Sequence, residues 1–200
     1  MLSRHRFSRK IPLTAAALAA LTACSGVTVS RVDHATQYSP LEATAAGGGE
    51  RQMRLVVLGN PFDTPQAQFE SAVIAAMQST AFGVPINFAA DPKNPDPSRP
   101  YRVVLAFNPE GINDPGKLCE AGSGVKTAEP AAGAPGGDVT VMGAFCSTDS
   151  YLSHAIARAG EVGGPGSETF ADMIFQLKTS MFPSRNPHDQ SAGDPPLPAT

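Results

Sequence analysis

The chain has 200 residues, of which 15 are basic and 18 acidic, for a net charge of −3. That balance lacks the clustered Lys and Arg that nucleic acid demands. With 19 Gly, 19 Pro and no Trp, against an ordinary Gly plus Pro share of about 12%, the composition points to one loop-rich domain with unstructured ends.

Arg4, Arg6, Arg9 and Lys10 precede an uncharged run of thirteen residues from Ile11 to Ala23. A helix of that length rises about 20 Å, short of the roughly 30 Å hydrocarbon core. The segment therefore reads as a secretory leader and not as a stable span. Its end, Leu21-Thr22-Ala23-Cys24, resembles the lipobox of bacterial lipoproteins. The resemblance implies a signal peptide over residues 1–23, diacylglycerol on the Cys24 sulfur, and acylation (palmitate being typical) of the new amino terminus. In that family an aspartate after the cysteine retains the protein in the inner membrane. Ser25 stands there, which implies sorting to the outer membrane, facing the periplasm. Two readings compete: an ordinary secretory signal with a chance cysteine, and a twin-arginine signal, from which Ser8-Arg9-Lys10 departs by its lysine. Without the leader, eleven basic residues face 18 acidic ones, a net of −7. Acyl chains, not surface charge, must then hold the membrane, and several hold firmly where one is marginal.

Residues 24–50 show no sustained period and end in Gly47-Gly48-Gly49, so they read as a flexible lipidated tether. A single domain is expected over 51–182. Gln52–Leu58 reads as a strand, and Thr64-Pro65 as a hydroxyl cap with proline at the first helical position. Phe69, Ala72, Val73, Ala76 and Met77 then mark one buried helix face. The four prolines within 91–100 make a surface loop. Tyr101–Phe107 is a second strand, 108–137 a long irregular stretch, and Val139–Phe145 a third strand. A short helix is expected from Ser147 or Thr148 to Ala159, stopped by Gly160. Ser167 caps a last helix whose face is Phe170, Met173, Ile174, Leu177 and Met181. The Pro-rich tail, residues 183–200, reads as disordered. Arg54…Asn60-Pro61 and Arg102…Asn108-Pro109 echo one another. The echo is read as two buried strands ended by the same turn chemistry, because proline offers no N–H to a ladder. The element order suggests a small two-layer α/β or α+β domain: a three- to four-stranded sheet with about three helices.

Cys119 and Cys146 remain in the mature chain with 26 residues between them. In an oxidising compartment such a pair reads as a disulfide worth about 3.5 kcal/mol in the chain-entropy model. Catalytic patterns are scarce. Ala121-Gly-Ser-Gly-Val-Lys-Thr127 lacks the glycine before lysine that a phosphate loop needs, and no G-x-S-x-G elbow occurs. Of four histidines only His154 falls within an expected element of the domain. Asp149, Ser150 and His154 form the one catalytic arrangement that can be drawn, with Ser150 and His154 as i, i+4 neighbours on the expected helix. No metal site and no cofactor are expected, since histidine pairs with zinc spacing and regular acidic calcium ladders are missing. If the strands were parallel, Asn60, Asp63, Asn108, Glu110 and residues 147–150 would gather along one sheet edge, although turns alone explain those residue types. The favoured reading is a membrane-anchored, non-enzymatic envelope lipoprotein that binds an envelope protein partner. The alternative is a small tethered periplasmic hydrolase or ligand-binding enzyme.

Overall fold

The two echoing stretches lie side by side. In the computed structural model, which describes residues 26–78, 84–121, 124–128 and 137–189, β2 (Met53–Leu58) runs parallel to β4 (Tyr101–Phe107), with Arg54 opposite Arg102 and Leu58 opposite Ala106. The sequence echo is thus the register of the pair. The leader, Cys24 and the tail from residue 190 lie outside the described residues.

Around this pair the chain forms a mixed α/β domain. Among the described residues six strands make one sheet, in the order β1-β6-β5-β4-β2-β3. The other strands are β1 (Val27–His34), β3 (Phe88–Ala89), β5 (Gly137–Ser147) and β6 (Ser150–Val162). The pairs β2–β3 and β2–β4 are parallel; β4–β5, β5–β6 and β1–β6 are antiparallel. The sheet is wider than the three to four strands expected, for two reasons visible in the residues.

First, the segment read as a tether belongs to the fold. Residues 27–34 pair with β6, and α1 (Pro40–Gly47) follows, with Ala43 and Ala46 buried. Ser39 caps α1 by accepting the Glu42 N–H at 3.3 Å, and Pro40 occupies the first turn. Gly47 is there because a Cβ would lie 2.6 Å from the Ile86 Cγ2. Second, the helix expected up to Ala159 is instead strand β6. Leu152 to Ala157 are buried without interruption because the sheet is covered on both faces. No period-two alternation therefore marks the strand, and its small residues fit a helical face equally well. Leu152 is an extra residue in β6, since Phe145 pairs with Ser153 and Cys146 with Tyr151.

The helices α2 (Gln66–Met77) and α4 (Glu168–Met181) pack on one face. Phe170, Met173, Ile174, Leu177 and Met181 are all buried, as their spacing predicts. Ser167 caps α4 by accepting the Phe170 N–H at 3.3 Å. Thr64 does not cap α2, whose N-cap is Pro65; Asn60 braces that entry by accepting from the Phe62 N–H at 3.0 Å and donating to the Thr64 carbonyl at 2.8 Å. Gly143 lets α4 sit close on β5, because a Cβ there would meet the Met181 sulfur at 2.6 Å. The opposite face is covered by the excursion after β4. It contains a 3-10 turn (Pro115–Lys117) and α3 (Leu118–Ala121), and its Leu118 and Cys119 pack against Val104, Ala106, Ala144 and Cys146. Cys119 and Cys146 lie at disulfide-bonding distance with their Cα atoms 5.5 Å apart, which fastens this cover to β5.

The tail also departs from expectation over its first part. Residues 183–189 are ordered against the connector between β1 and α1. The Asn186 amide donates to the Thr36 and Tyr38 carbonyls, both at 2.9 Å.

Candidate functional site

Asp149, Ser150 and His154 do not converge. The β5–β6 hairpin puts Asp149 and Ser150 at an exposed tip, where Asp149 lies 4.0 Å from Arg102. Along a strand, four residues span about 13 Å, so the i, i+4 neighbourhood of a helix is lost. His154 is buried and donates from Nδ1 to the Arg31 carbonyl at 3.1 Å. That carbonyl is presented by a bulge in β1 between Ser30 and Asp33, where Arg31 takes a φ of 50°. Asp33 lies 3.9 Å from the His154 Nε2 and accepts the Tyr151 hydroxyl at 2.9 Å. This hydrogen bond holds the Tyr151 hydroxyl above its ordinary pKa, so it remains a donor. The group braces an edge strand; it contains no nucleophile beside a base.

The polar edge imagined for parallel strands is divided. Asn60 and Asn108 do share one end of the sheet, because β2 and β4 are parallel. Asn108 accepts the Thr140 N–H at 2.8 Å with its side chain and takes a φ of 45°, so its role is to end the strand. Residues 147–150 sit at the opposite end, since β5 is antiparallel to β4.

Two concave features of the described residues lie near that opposite end. A cavity of about 490 Å³ is lined by Thr36, Asp114, Lys117, Glu120, Asp149 and Tyr151. Across the connector lies a groove of about 710 Å³, lined by Tyr38, Leu41, Thr44, Val84, Arg185 and Asn186 among others. Thr36 borders both, so the groove and the cavity lie on either side of residues 35–39 and together make the furrow. The groove lies within the size range of ligand sites, about 300–1,000 Å³. Leu41 stands on its rim, 80% exposed.

Hydrogen bonds hold the connector in shape. The Tyr38 hydroxyl donates to the Pro183 carbonyl at 2.9 Å, and burial raises its pKa. His34 donates from Nε2 to the Ser180 carbonyl at 3.0 Å, and His188 donates from Nε2 to the His34 carbonyl at 2.7 Å. Behind the groove, Asp96 is buried between Arg51 and Arg99, with the Ser98 hydroxyl at 2.7 Å and its N–H at 2.9 Å. The Ser98 hydroxyl and the Arg99 guanidinium hold the Asp96 carboxyl far below the ordinary carboxylate range. Arg99 also reaches Glu42 at 3.0 Å, and Glu42 accepts the Tyr101 hydroxyl at 3.0 Å. This network ties the Pro-rich loop to α1. Among the described residues no group of three His, Cys, Asp or Glu side chains could hold a metal ion. No helix there is long and apolar enough to cross a membrane.

Sequence reasoning missed the furrow because it assigned much of its lining, from Thr36 to Thr44 and from Ser184 to Asp189, to tether and tail. One signal was present: Ser39-Pro40-Leu41-Glu42 is the signature of a helix start, with a hydroxyl cap, proline in the first turn and Glu at the third position.

No known protein family model and no curated protein matches the sequence. Similar chains among solved structures include the PelC dodecamer from Paraburkholderia phytofirmans, 14% identical, covering 80% of this chain and 99% of that one with a TM-score of 0.42. A point variant of that dodecamer is 15% identical, covering 78% and 97%, with a TM-score of 0.37. Likeness at this level carries no argument about function.

Proposed function

We propose that the chain is a lipid-anchored envelope protein that acts by contact with an envelope protein partner, through the furrow, and not by catalysis. One observation carries the contact reading: the catalytic arrangement read from the sequence is dispersed over an exposed hairpin tip and a buried brace, while the 710 Å³ groove holds no nucleophile–base pair among its lining residues. The lipidation reading rests on the lipobox resemblance at Cys24, and sorting to the outer membrane on Ser25.

The geometry alters how such an anchor would work. Val27 opens β1 three positions after Cys24, so acyl chains on Cys24 keep the domain within about 10 Å of the headgroups. The eight residues of β1 allow the furrow, at the His34 end, to stand at most about 26 Å further out. The anchor gives position and local concentration, not long reach.

The test has two arms. Cys24→Ala is expected to abolish incorporation of labelled palmitate and to block processing of the precursor; retained label would contradict the lipid anchor. His154→Gln, which removes the imidazole a tethered hydrolase would need and lies outside the lining of the furrow, is expected to restore the envelope phenotype of a deletion strain as well as the natural chain does. Failure to restore it, with circular dichroism and thermal unfolding unchanged, would overturn the contact reading in favour of a tethered enzyme.

A further inference from the structure

The strap of residues 183–189 supplies one wall of the 710 Å³ groove through Ser184, Arg185, Asn186 and Asp189. His34 touches the strap and the helix that leads into it. The His34 ring donates to the Ser180 carbonyl, where α4 leads into the strap, and its own carbonyl receives the His188 Nε2–H. Asn186 completes the attachment through the Thr36 and Tyr38 carbonyls, and also accepts the His188 N–H at 2.9 Å. We propose that His34 makes the strap a pH-sensitive latch on the groove, closed while its imidazole is neutral and released on acidification.

The chemistry follows from the donors. A carbonyl can only accept, so in the closed form each histidine carries its proton on Nε2. An added proton must go to Nδ1. For His34 that nitrogen lies in a buried site, 8% exposed, with the Tyr38 ring edge-on at 5.4 Å and no hydrogen-bond acceptor for it among the described residues. Burial is the largest influence on His34 and lowers its pKa; His188 on the strap and His154 on β6 lower it further. Opposing them are the Ser180 carbonyl at the end of α4 and Asp33 on β1, both of which favour the charged ring. The net direction is down. The closed form therefore binds fewer protons than a form with His34 solvated, whose imidazole titrates near the ordinary value of about 6.5. Closure is fully favoured above that value and is lost as pH falls below it, with a ceiling of tenfold per pH unit for one coupled proton.

This inference stands independently of the contact reading, because opening of the strap is read directly. Amide exchange of the mature chain, expressed as protection factors, is compared between about pH 7.5 and about pH 5.5, on either side of the ordinary imidazole value. The amides of His188 and Asp189, which bond to Asn186, are expected to lose protection by about fivefold at the lower pH, half the single-proton ceiling per unit. The Leu105 amide in the core is expected to hold its protection. His34→Gln keeps a donor toward Ser180 but no titratable ring, so strap protection should become independent of pH. His34→Asn, tested the same way, covers the case in which the first variant disturbs packing. Strap protection in the natural chain that is flat across this range, or a fivefold loss that persists in both variants, would overturn the latch.

Discussion

Phe107→Ala is expected to destabilise the domain by about 3–5 kcal/mol, the range for removing a buried aromatic ring. Phe107 ends β4 with no exposed surface. Its ring meets Phe69 of α2 edge-on at 4.8 Å and stacks against Phe170 of α4 at 6.1 Å, with the planes 19° apart. One side chain therefore joins the sheet to both covering helices. Truncation leaves a cavity that cannot collapse without moving two helices, which places the loss at the high end. For a domain of this size that corresponds to roughly 10 °C in Tm. Urea unfolding measures it, with Leu41→Ala as the comparison, since a residue 80% exposed should shift stability by no more than about 0.5 kcal/mol. A loss below about 1 kcal/mol for Phe107→Ala would contradict the packing described.

Removing the Cys119–Cys146 bridge is expected to lower stability by about 3.5 kcal/mol, from restored freedom of the unfolded chain. A second consequence is local. The bridge fastens the excursion that covers Val104, Ala106, Met142 and Ala144, so Cys119→Ser with Cys146→Ser should loosen that cover and raise binding of a hydrophobic dye. The far face, held by α2 and α4, should lose amide protection by no more than the global change in stability. Equal urea midpoints for the oxidised protein and the double variant would show that the bridge contributes nothing.

Much of the core was readable because a strong physical signal was concentrated in few residues. The α4 face repeats every three to four positions, and Ser167 precedes it. The strands at 53–58 and 101–107 are apolar runs ended by Asn-Pro. What remained hidden lacked such signals. β1 alternates weakly because it is an edge strand, and its bulge at Arg31 breaks the alternation further. α1 is built of small residues whose burial depends on partners distant in sequence, such as Ile86 against Gly47. β6 is covered on both faces, so its pattern fits helix and strand alike. The furrow was hardest to see, because it is assembled by main-chain carbonyls. His34, Asn186 and His188 act on carbonyl oxygens across about 150 positions of chain, and composition alone made both partners look unstructured.

The central claim, contact through the furrow, is tested most directly by a photocrosslinking residue at Leu41 in intact envelopes. Leu41 lies on the groove rim, whereas Ser71 is exposed on the outer side of α2, away from the furrow. The account predicts one discrete protein adduct from Leu41, reduced when Cys24→Ala removes the anchor, and none from Ser71. The same adducts from both positions, or none from Leu41, would contradict it.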